Sequence, residues 1–391
     1  MGEAIDIAAV RADTPACGRL AHFNNAGSSL QPLPVTRAVL DHLALEQEIG
    51  GYEAADRRAD ALEAMYGSLA RLVGARPDEI AYVENATRAW DMAFYSVPLA
   101  AGDRVITCRS EYVSNYLALL QTEKRKGIVI DVVPDDESGQ IDVAALDRMI
   151  GPRTRLIAIT HVPTQGGLVN PAAAVGRVAR AHGVLYLLDA CQSVGQMPVD
   201  VGAIGCDMLS ATGRKFLRAP RGTGFLYVAR EALERLDPVM IDLEAARWTG
   251  LQTFELRPDA RRFENWESYV AGRLGLGAAA DYALAIGLDA IAARNRRLAG
   301  DLRQRLAAIP GVTLHDLGAE TCAIVTFRKA GVDCEALRDR LRERAINVSV
   351  SRASSARIDL EGRGIADLVR ASVHYFNTED EITRLCEAVA S

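Results

Sequence analysis

The stretch Gly183-Val-Leu-Tyr-Leu-Leu-Asp189 carries five apolar residues without interruption into a single carboxylate. A run this short, with a glycine before it and a polar turn after it, reads as a strand buried on both faces. Such strands belong to parallel sheets that carry helices on each side. Residues 80–83, 104–108, 128–133 and 155–161 repeat the pattern upstream, and residues 224–228 repeat it downstream. Between them, residues 62–73, 88–99, 143–150 and 171–182 read as amphipathic helices. Strand and helix alternate over about 170 residues, which predicts an α/β fold on a mostly parallel, helix-covered sheet.

Beyond residue 255 the pattern changes. Residues 273–286 and 288–308 read as long helices, followed by strands at 312–315 and 322–327 and a helix at 334–344. Residues 347–350 and 370–375 are strand-like, and 378–390 close the chain as a helix. The expected division is an N-terminal arm at 1–20, a large domain at 21–255 and a smaller α+β domain at 256–391.

The chain has 391 residues, 49% of them hydrophobic and 25% charged, with a net charge of −6. That balance suits a folded globular protein and gives no reason to expect nucleic acid or an anionic membrane as partner. No run of about 18 apolar residues occurs, and the first residues lack the basic and apolar regions of a signal peptide. The seven cysteines are scattered without a C-x-x-C, and the six histidines show no metal-ligand spacing. Reduced thiols in a cytoplasm, with no metal site, are therefore expected.

Asp189 should stand at the carboxyl end of its strand, where parallel sheets place ligands. A carboxylate there is costly unless it meets a cation; the competing role is as cap of a following helix. Only four of the 45 basic residues are lysine. Lys124 and Lys126 sit in a charged run and Lys329 at a turn, whereas Lys215 precedes a glycine-rich apolar segment. Arginine serves an ion pair as well as lysine does, but it does not lose its proton and attack a carbonyl. A leftover surface lysine is the other reading. Lysine with aspartate fits pyridoxal phosphate (PLP): the amine forms the Schiff base and the carboxylate keeps the pyridine nitrogen protonated.

Asp189-Ala-Cys-Gln192, Thr212-Gly-Arg-Lys215 and Arg218-Ala-Pro-Arg-Gly-Thr-Gly224 resemble the core of class V aminotransferase-type PLP enzymes, of fold type I. That group includes cysteine desulfurases, cysteine C–S lyases and isopenicillin N epimerases. The resemblance continues through Phe23-Asn-Asn-Ala-Gly-Ser28, Glu84-Asn-Ala-Thr87, Ser110-Glu-Tyr112, His161-Val-Pro-Thr-Gln-Gly-Gly167 and Arg370-Ala-Ser-Val-His-Tyr-Phe-Asn-Thr378. It implies a large domain with a mostly parallel seven-stranded sheet, a smaller α+β domain, and a homodimer with its sites at the interface.

By that resemblance Lys215 forms the Schiff base and shuttles the Cα proton, and Asp189 pairs with the pyridinium. Gln192 bonds the ring's phenolic oxygen and Tyr112 stacks on the ring where desulfurases have histidine. Ala86 and Thr87 offer backbone N–H groups to the phosphate, with Thr212 and Arg214 completing its site. Thr164 stands where many relatives carry asparagine. Arg370 binds the substrate carboxylate as a fork. Tyr112, Gln192 and Arg370 each also admit a packing, surface or ion-pair role.

Desulfurases carry a nucleophilic cysteine on a loop before the last strand. The corresponding stretch, Ile346-Asn-Val-Ser-Val-Ser-Arg-Ala-Ser-Ser-Ala-Arg357, has none, which argues against persulfide chemistry. Glu48-Ile-Gly-Gly-Tyr-Glu-Ala-Ala55 and Glu111-Tyr-Val-Ser-Asn115 are similar to the C–S lyase of ergothioneine formation. The reading is then β-elimination from a cysteine S-conjugate or sulfoxide, yielding pyruvate and ammonia. An aminotransferase, an amino-acid epimerase and a non-catalytic PLP-binding protein remain alternatives; a dinucleotide-binding dehydrogenase is disfavoured because no G-x-G-x-x-G follows the first strand. Substrate selection is expected from Asn25, Ser29, Trp266, Arg352 and Arg357. Trp266 and Tyr269, in Glu264-Asn-Trp-Glu-Ser-Tyr-Val-Ala271, either line the pocket or pack in the interior.

Overall fold

The computed structural model describes residues 5–391. Its centre is a sheet of seven strands: β1 (Ile80–Val83), β2 (Arg104–Cys108), β3 (Val129–Val133), β4 (Thr154–Thr160), β5 (Leu185–Asp189), β6 (Met208–Thr212) and β7 (Gly224–Val228). Their spatial order is β1-β7-β6-β5-β4-β2-β3. From β6 to β3 every pairing is parallel, while β7 runs antiparallel to both β6 and β1. The mostly parallel α/β sheet expected from the sequence is thus present.

Every residue of β5, β6 and β7 is buried, which explains the unbroken apolar runs. Side chains alternate between two cores, as the two-residue strand period requires. Tyr186, Leu188 and Leu209 face one core; Leu185, Leu187 and Met208 face the other. The helix Ala172–His182 ends where Gly183 takes φ +64°, and the Gly183 N–H bonds the Arg180 carbonyl. Glycine pays little for that left-handed turn, and the chain enters β5 from it.

The second sheet is smaller and antiparallel: β8 (Val312–Leu314), β9 (Ile324–Lys329), β10 (Ser349–Arg352) and β11 (Asp367–Ser372), in the order β8-β9-β11-β10. Helices Leu288–Ala307, Cys334–Glu343 and Glu379–Ala390 supply Leu302, Leu337 and Leu385 to its core. Two features depart from the expected division. Ala21–His22 pairs in parallel with Ile346–Asn347, and Phe23 and Ala26 join the small core. Conversely, helix Val270–Ile286 packs on Leu33–Ile49 and Ala59–Val73 of the large layer. Changes of layer therefore do not coincide with residues 21 and 256. Among the described residues, no single helix is long and apolar enough to cross a membrane.

Candidate active site

The carboxyl ends of β4, β5 and β6 and the N-terminus of helix Ala86–Tyr95 frame one cleft. Asp189 is the last residue of β5 and is buried. Its Oδ1 accepts the Cys191 N–H at 2.9 Å and its Oδ2 accepts Asn115 Nδ2 at 2.9 Å. The carboxylate is thus held by two donors while it lines the cleft.

Lys215 follows β6 in a tight turn closed by Arg218 N–H to the Lys215 carbonyl at 3.0 Å. It is buried, with Nζ 5.8 Å from the Tyr112 ring centroid. Burial pushes its pKa below the ordinary lysine range, against the raising effects of Cys191 and Asp189 and with help from Arg214 and Arg370. A lowered pKa favours the neutral amine that nucleophilic attack and proton abstraction need. The turn after Asp189 approaches this segment very closely. Gly195 has φ +90°, and a Cβ there would sit 2.5 Å from Leu217 N, so only glycine fits.

Ala86 and Thr87 open their helix, and Asn85 Oδ1 caps the Arg88 N–H at 2.9 Å. The first-turn N–H groups of Ala86 and Thr87 have no intrahelical partner and line the cleft at the positive end of the helix dipole. Thr212 ends β6 with Oγ1 donating to the Thr223 carbonyl at 3.4 Å. Arg214 Nη1 donates to the Gly27 carbonyl. Both residues line the same cleft.

Gln192 Nε2 donates to Thr164 Oγ1 at 2.9 Å and to the Ala26 carbonyl at 3.1 Å, while its Oε1 is buried without a partner. Arg370 lies on β11, buried. Its Nη1 donates to Thr164 O at 2.8 Å and Thr164 Oγ1 at 2.7 Å, and its Nη2 reaches Asn24 Oδ1 at 3.4 Å. Arg370 Nε is buried and unpartnered. Burial and the neighbouring Arg214 lower its pKa to about 10. A buried guanidinium without a carboxylate partner among the described residues is a seat for an anion.

The structure brings nine of the expected cofactor residues to this cleft: Lys215, Asp189, Gln192, Tyr112, Ala86, Thr87, Thr212, Arg214 and Thr164. The five residues expected to select substrate are placed elsewhere. Asn25 is fully buried, donating to the His22 and Ser372 carbonyls at 3.1 and 2.8 Å and accepting from Ser29 Oγ at 2.7 Å. Its side chain and that of Ser29 are spent on the N-terminal turn; the neighbouring Asn24 reaches Arg370 instead. Trp266 is 52% exposed and lines, with Tyr269 and Tyr52, a separate open groove. Arg352 pairs with Glu335, and Arg357 with Glu361, both at the exposed surface. Asn85, Asn115, Thr160, Val162 and Cys191 also line the cleft. Asn115 lay inside a quoted motif without a role, and Cys191 lay between the two assigned residues Asp189 and Gln192.

These residues fit a phosphorylated pyridine aldehyde. A carboxylate, an amine, an aromatic face and open helix-terminal N–H groups meet in one cleft, and Gln192 Oε1 and Arg370 Nε lack partners. Residues 21–385 match the family model for class V aminotransferases. The chain belongs to the class V aminotransferase family. Pyridoxal phosphate is the cofactor of that family, and Lys215, Asp189, Ala86, Thr87 and Thr212 are the residues that would hold it here.

A probable cysteine desulfurase of Methanothermobacter thermautotrophicus is 30% identical over 386 residues, covering 97% of this chain and 96% of its own. One from Synechocystis is 30% identical, covering 96% and 93%. Among solved structures, the apo cysteine desulfurase of Thermococcus onnurineus superposes with a TM-score of 0.92 at 23% identity, covering 100% of this chain and 98% of that one. A cystine C–S lyase bound to its product cysteine persulfide superposes at 0.87 and 23% identity, covering 97% and 99%. Both likenesses concern the fold.

Proposed function

We propose that this class V enzyme is a C–S lyase, eliminating the sulfur group from a cysteine S-conjugate or cysteine sulfoxide. Arg370, held by Thr164 and Asn24, receives the substrate carboxylate and so places Cα near Lys215. Pyridoxal phosphate, when bound, withdraws electrons from the Cα of an attached amine. Lys215 Nζ takes the Cα proton, the Cβ–S bond breaks with its electron pair leaving on sulfur, and the released 2-aminoacrylate hydrolyses to pyruvate and ammonia. Asp189, fixed by Asn115 and the Cys191 N–H, sustains the electron sink.

The observation that carries the reading is the absence of a cysteine where desulfurases place theirs. Cys191, which lines the cleft and is partly exposed, has its thiol raised to about 12 by desolvation with Asp189 beside it, which disfavours the thiolate near neutrality. Residues 346–366, which include the stretch where desulfurases place their cysteine, contain none. Elimination needs no thiol nucleophile. A desulfurase reading with Cys191 as sulfur acceptor has its own support, from the names of the relatives and from the position of that thiol in the cleft. Supplying purified enzyme with a panel of S-alkyl cysteines and their sulfoxides decides between them. Pyruvate and ammonia in equal amounts, undiminished in Cys191→Ser, support the lyase; no keto acid from any member refutes it.

The same reading includes a homodimer. Trp248, Leu251 and Phe254 of the hairpin Ala246–Gly250/Thr253–Leu256 are 75%, 92% and 56% exposed, an apolar surface that a second copy would bury. A monomer by sedimentation at micromolar concentration would remove this part of the proposal.

A further inference from the structure

Behind Asp189 lies a second buried carboxylate that the chemistry above does not use. Glu111 is 4% exposed and has no lysine or arginine partner among the described residues. Its two oxygens accept four hydrogen bonds. Oε1 receives the Tyr112 N–H at 2.8 Å, Asn115 Nδ2 at 2.9 Å and Thr160 Oγ1 at 2.5 Å; Oε2 receives Thr107 Oγ1 at 2.9 Å. Burying a carboxylate without a cation is costly, and only such saturation with donors makes it tolerable. The cost is visible in the group itself: desolvation, with Asp189 nearby, raises Glu111 to about 7.

Three of the four donors, Tyr112, Asn115 and Thr160, line the cleft. Tyr112 faces Lys215, Thr160 ends β4 beside Asp189, and Asn115 donates from one nitrogen to both carboxylates, Glu111 Oε1 and Asp189 Oδ2, at 2.9 Å each. An amide nitrogen anchored at Glu111 has a fixed second hydrogen, and that hydrogen sets the rotation of the Asp189 carboxylate. We propose that Glu111 is a positioning residue for the cofactor: through Asn115 it orients Asp189 toward the pyridine nitrogen, and through the Tyr112 N–H and Thr160 it fixes the walls beside the ring. A single buried group thereby couples the end of β4, the turn after β2 and the end of β5.

The inference rests on the cofactor reading, and the test separates the two. Wild-type enzyme, Glu111→Gln and Asn115→Leu are compared for PLP dissociation constant, for the visible absorbance maximum of bound cofactor, and for melting of the cofactor-free protein. Gln keeps an Oε1 acceptor for Tyr112, Asn115 and Thr160, and the Thr107 hydroxyl can turn to accept from its Nε2, so the substitution removes charge with little change of shape. The expected result is a PLP dissociation constant weaker by roughly ten- to a hundredfold in both variants, the scale of a hydrogen bond to a charged group, and a displaced absorbance maximum. Wild-type affinity and spectrum in both variants overturn the proposal while leaving the cofactor reading intact. So does a lower apo melting temperature with neither property changed, which marks a merely structural carboxylate. Should Glu111→Gln fail to fold, Asn115→Leu alone carries the decision, since it breaks the link and leaves Glu111 in place. A wild-type protein that takes up no PLP contradicts both readings together.

Discussion

Arg370 Nη1 donates to Thr164 twice, to the backbone oxygen at 2.8 Å and to Oγ1 at 2.7 Å. One nitrogen of the guanidinium is thereby pinned, and Nε is left buried without a partner. The first consequence concerns substrate binding. Arg370→Lys keeps the charge but loses the planar fork. KM for the amino acid should rise roughly ten- to a hundredfold, the equivalent of about 1.5–3 kcal/mol for a charged hydrogen bond, with a smaller change in kcat. Thr164→Ala should move KM the same way by less. Steady-state kinetics on both variants checks this.

Lys215→Arg should abolish turnover and the visible absorbance of bound cofactor, because the guanidinium stays protonated and does not attack an aldehyde. Lys215→Ala should do the same while leaving the melting temperature of the cofactor-free protein unchanged or higher, since it removes an amine that burial penalises. Retained turnover in either variant contradicts the assignment.

Arg218 is a structural counterpart three residues further on. It takes φ +63° and is buried, with Nε to the Leu30 carbonyl at 2.8 Å, Nη1 to Tyr375 OH at 2.6 Å and Nη2 to Thr14 Oγ1 at 2.6 Å. Its guanidinium also lies 4.6 Å from the Phe376 ring centroid. It therefore ties the N-terminal arm, the lysine loop and the last strand's exit together. Arg218→Ala leaves the buried Tyr375 hydroxyl without a partner, removes a donor from the Leu30 carbonyl and from Thr14 Oγ1, and should cost about 3 kcal/mol in denaturant unfolding.

The architecture was legible because β5, β6 and β7 are buried throughout, so burial wrote itself into the sequence. Other elements left no such trace. Helix Val113–Lys126 begins at Tyr112 without a side-chain cap. Helix Leu33–Ile49 follows Pro32 and carries Pro34 in its first turn, a pair that reads as a loop although proline is tolerated there. The hairpin at 246–256 has no buried face in this chain, so it shows no alternation. In the site, residues tied to motifs were legible, whereas the choice between Asn24 and Asn25 depends on a turn that spacing does not reveal. Trp266, Arg352 and Arg357 looked functional by residue type, but type does not say which way a loop faces.

Glu264 gives a pH prediction. It is buried, accepts Tyr66 OH at 2.9 Å on each oxygen and the Tyr82 N–H at 2.8 Å, and burial raises it to about 7. Between the ordinary glutamate range and about 7 the folded protein holds a proton that the unfolded chain has lost, so this group lowers stability as pH rises through that window. Glu264→Gln removes the effect. The melting temperature of the variant relative to wild type should climb between pH 5 and pH 8; a constant difference would show that the carboxylate is already ionised at pH 5.

The central claim is that Lys215 drives elimination without help from a thiol nucleophile. Mass spectrometry of the carbon skeleton and of the protein, after turnover of an S-substituted cysteine and of free cysteine, tests it most directly. Pyruvate from the S-substituted substrate with no sulfur added to Cys191 is the predicted result. Alanine from free cysteine, with an added sulfur atom on Cys191, would contradict it.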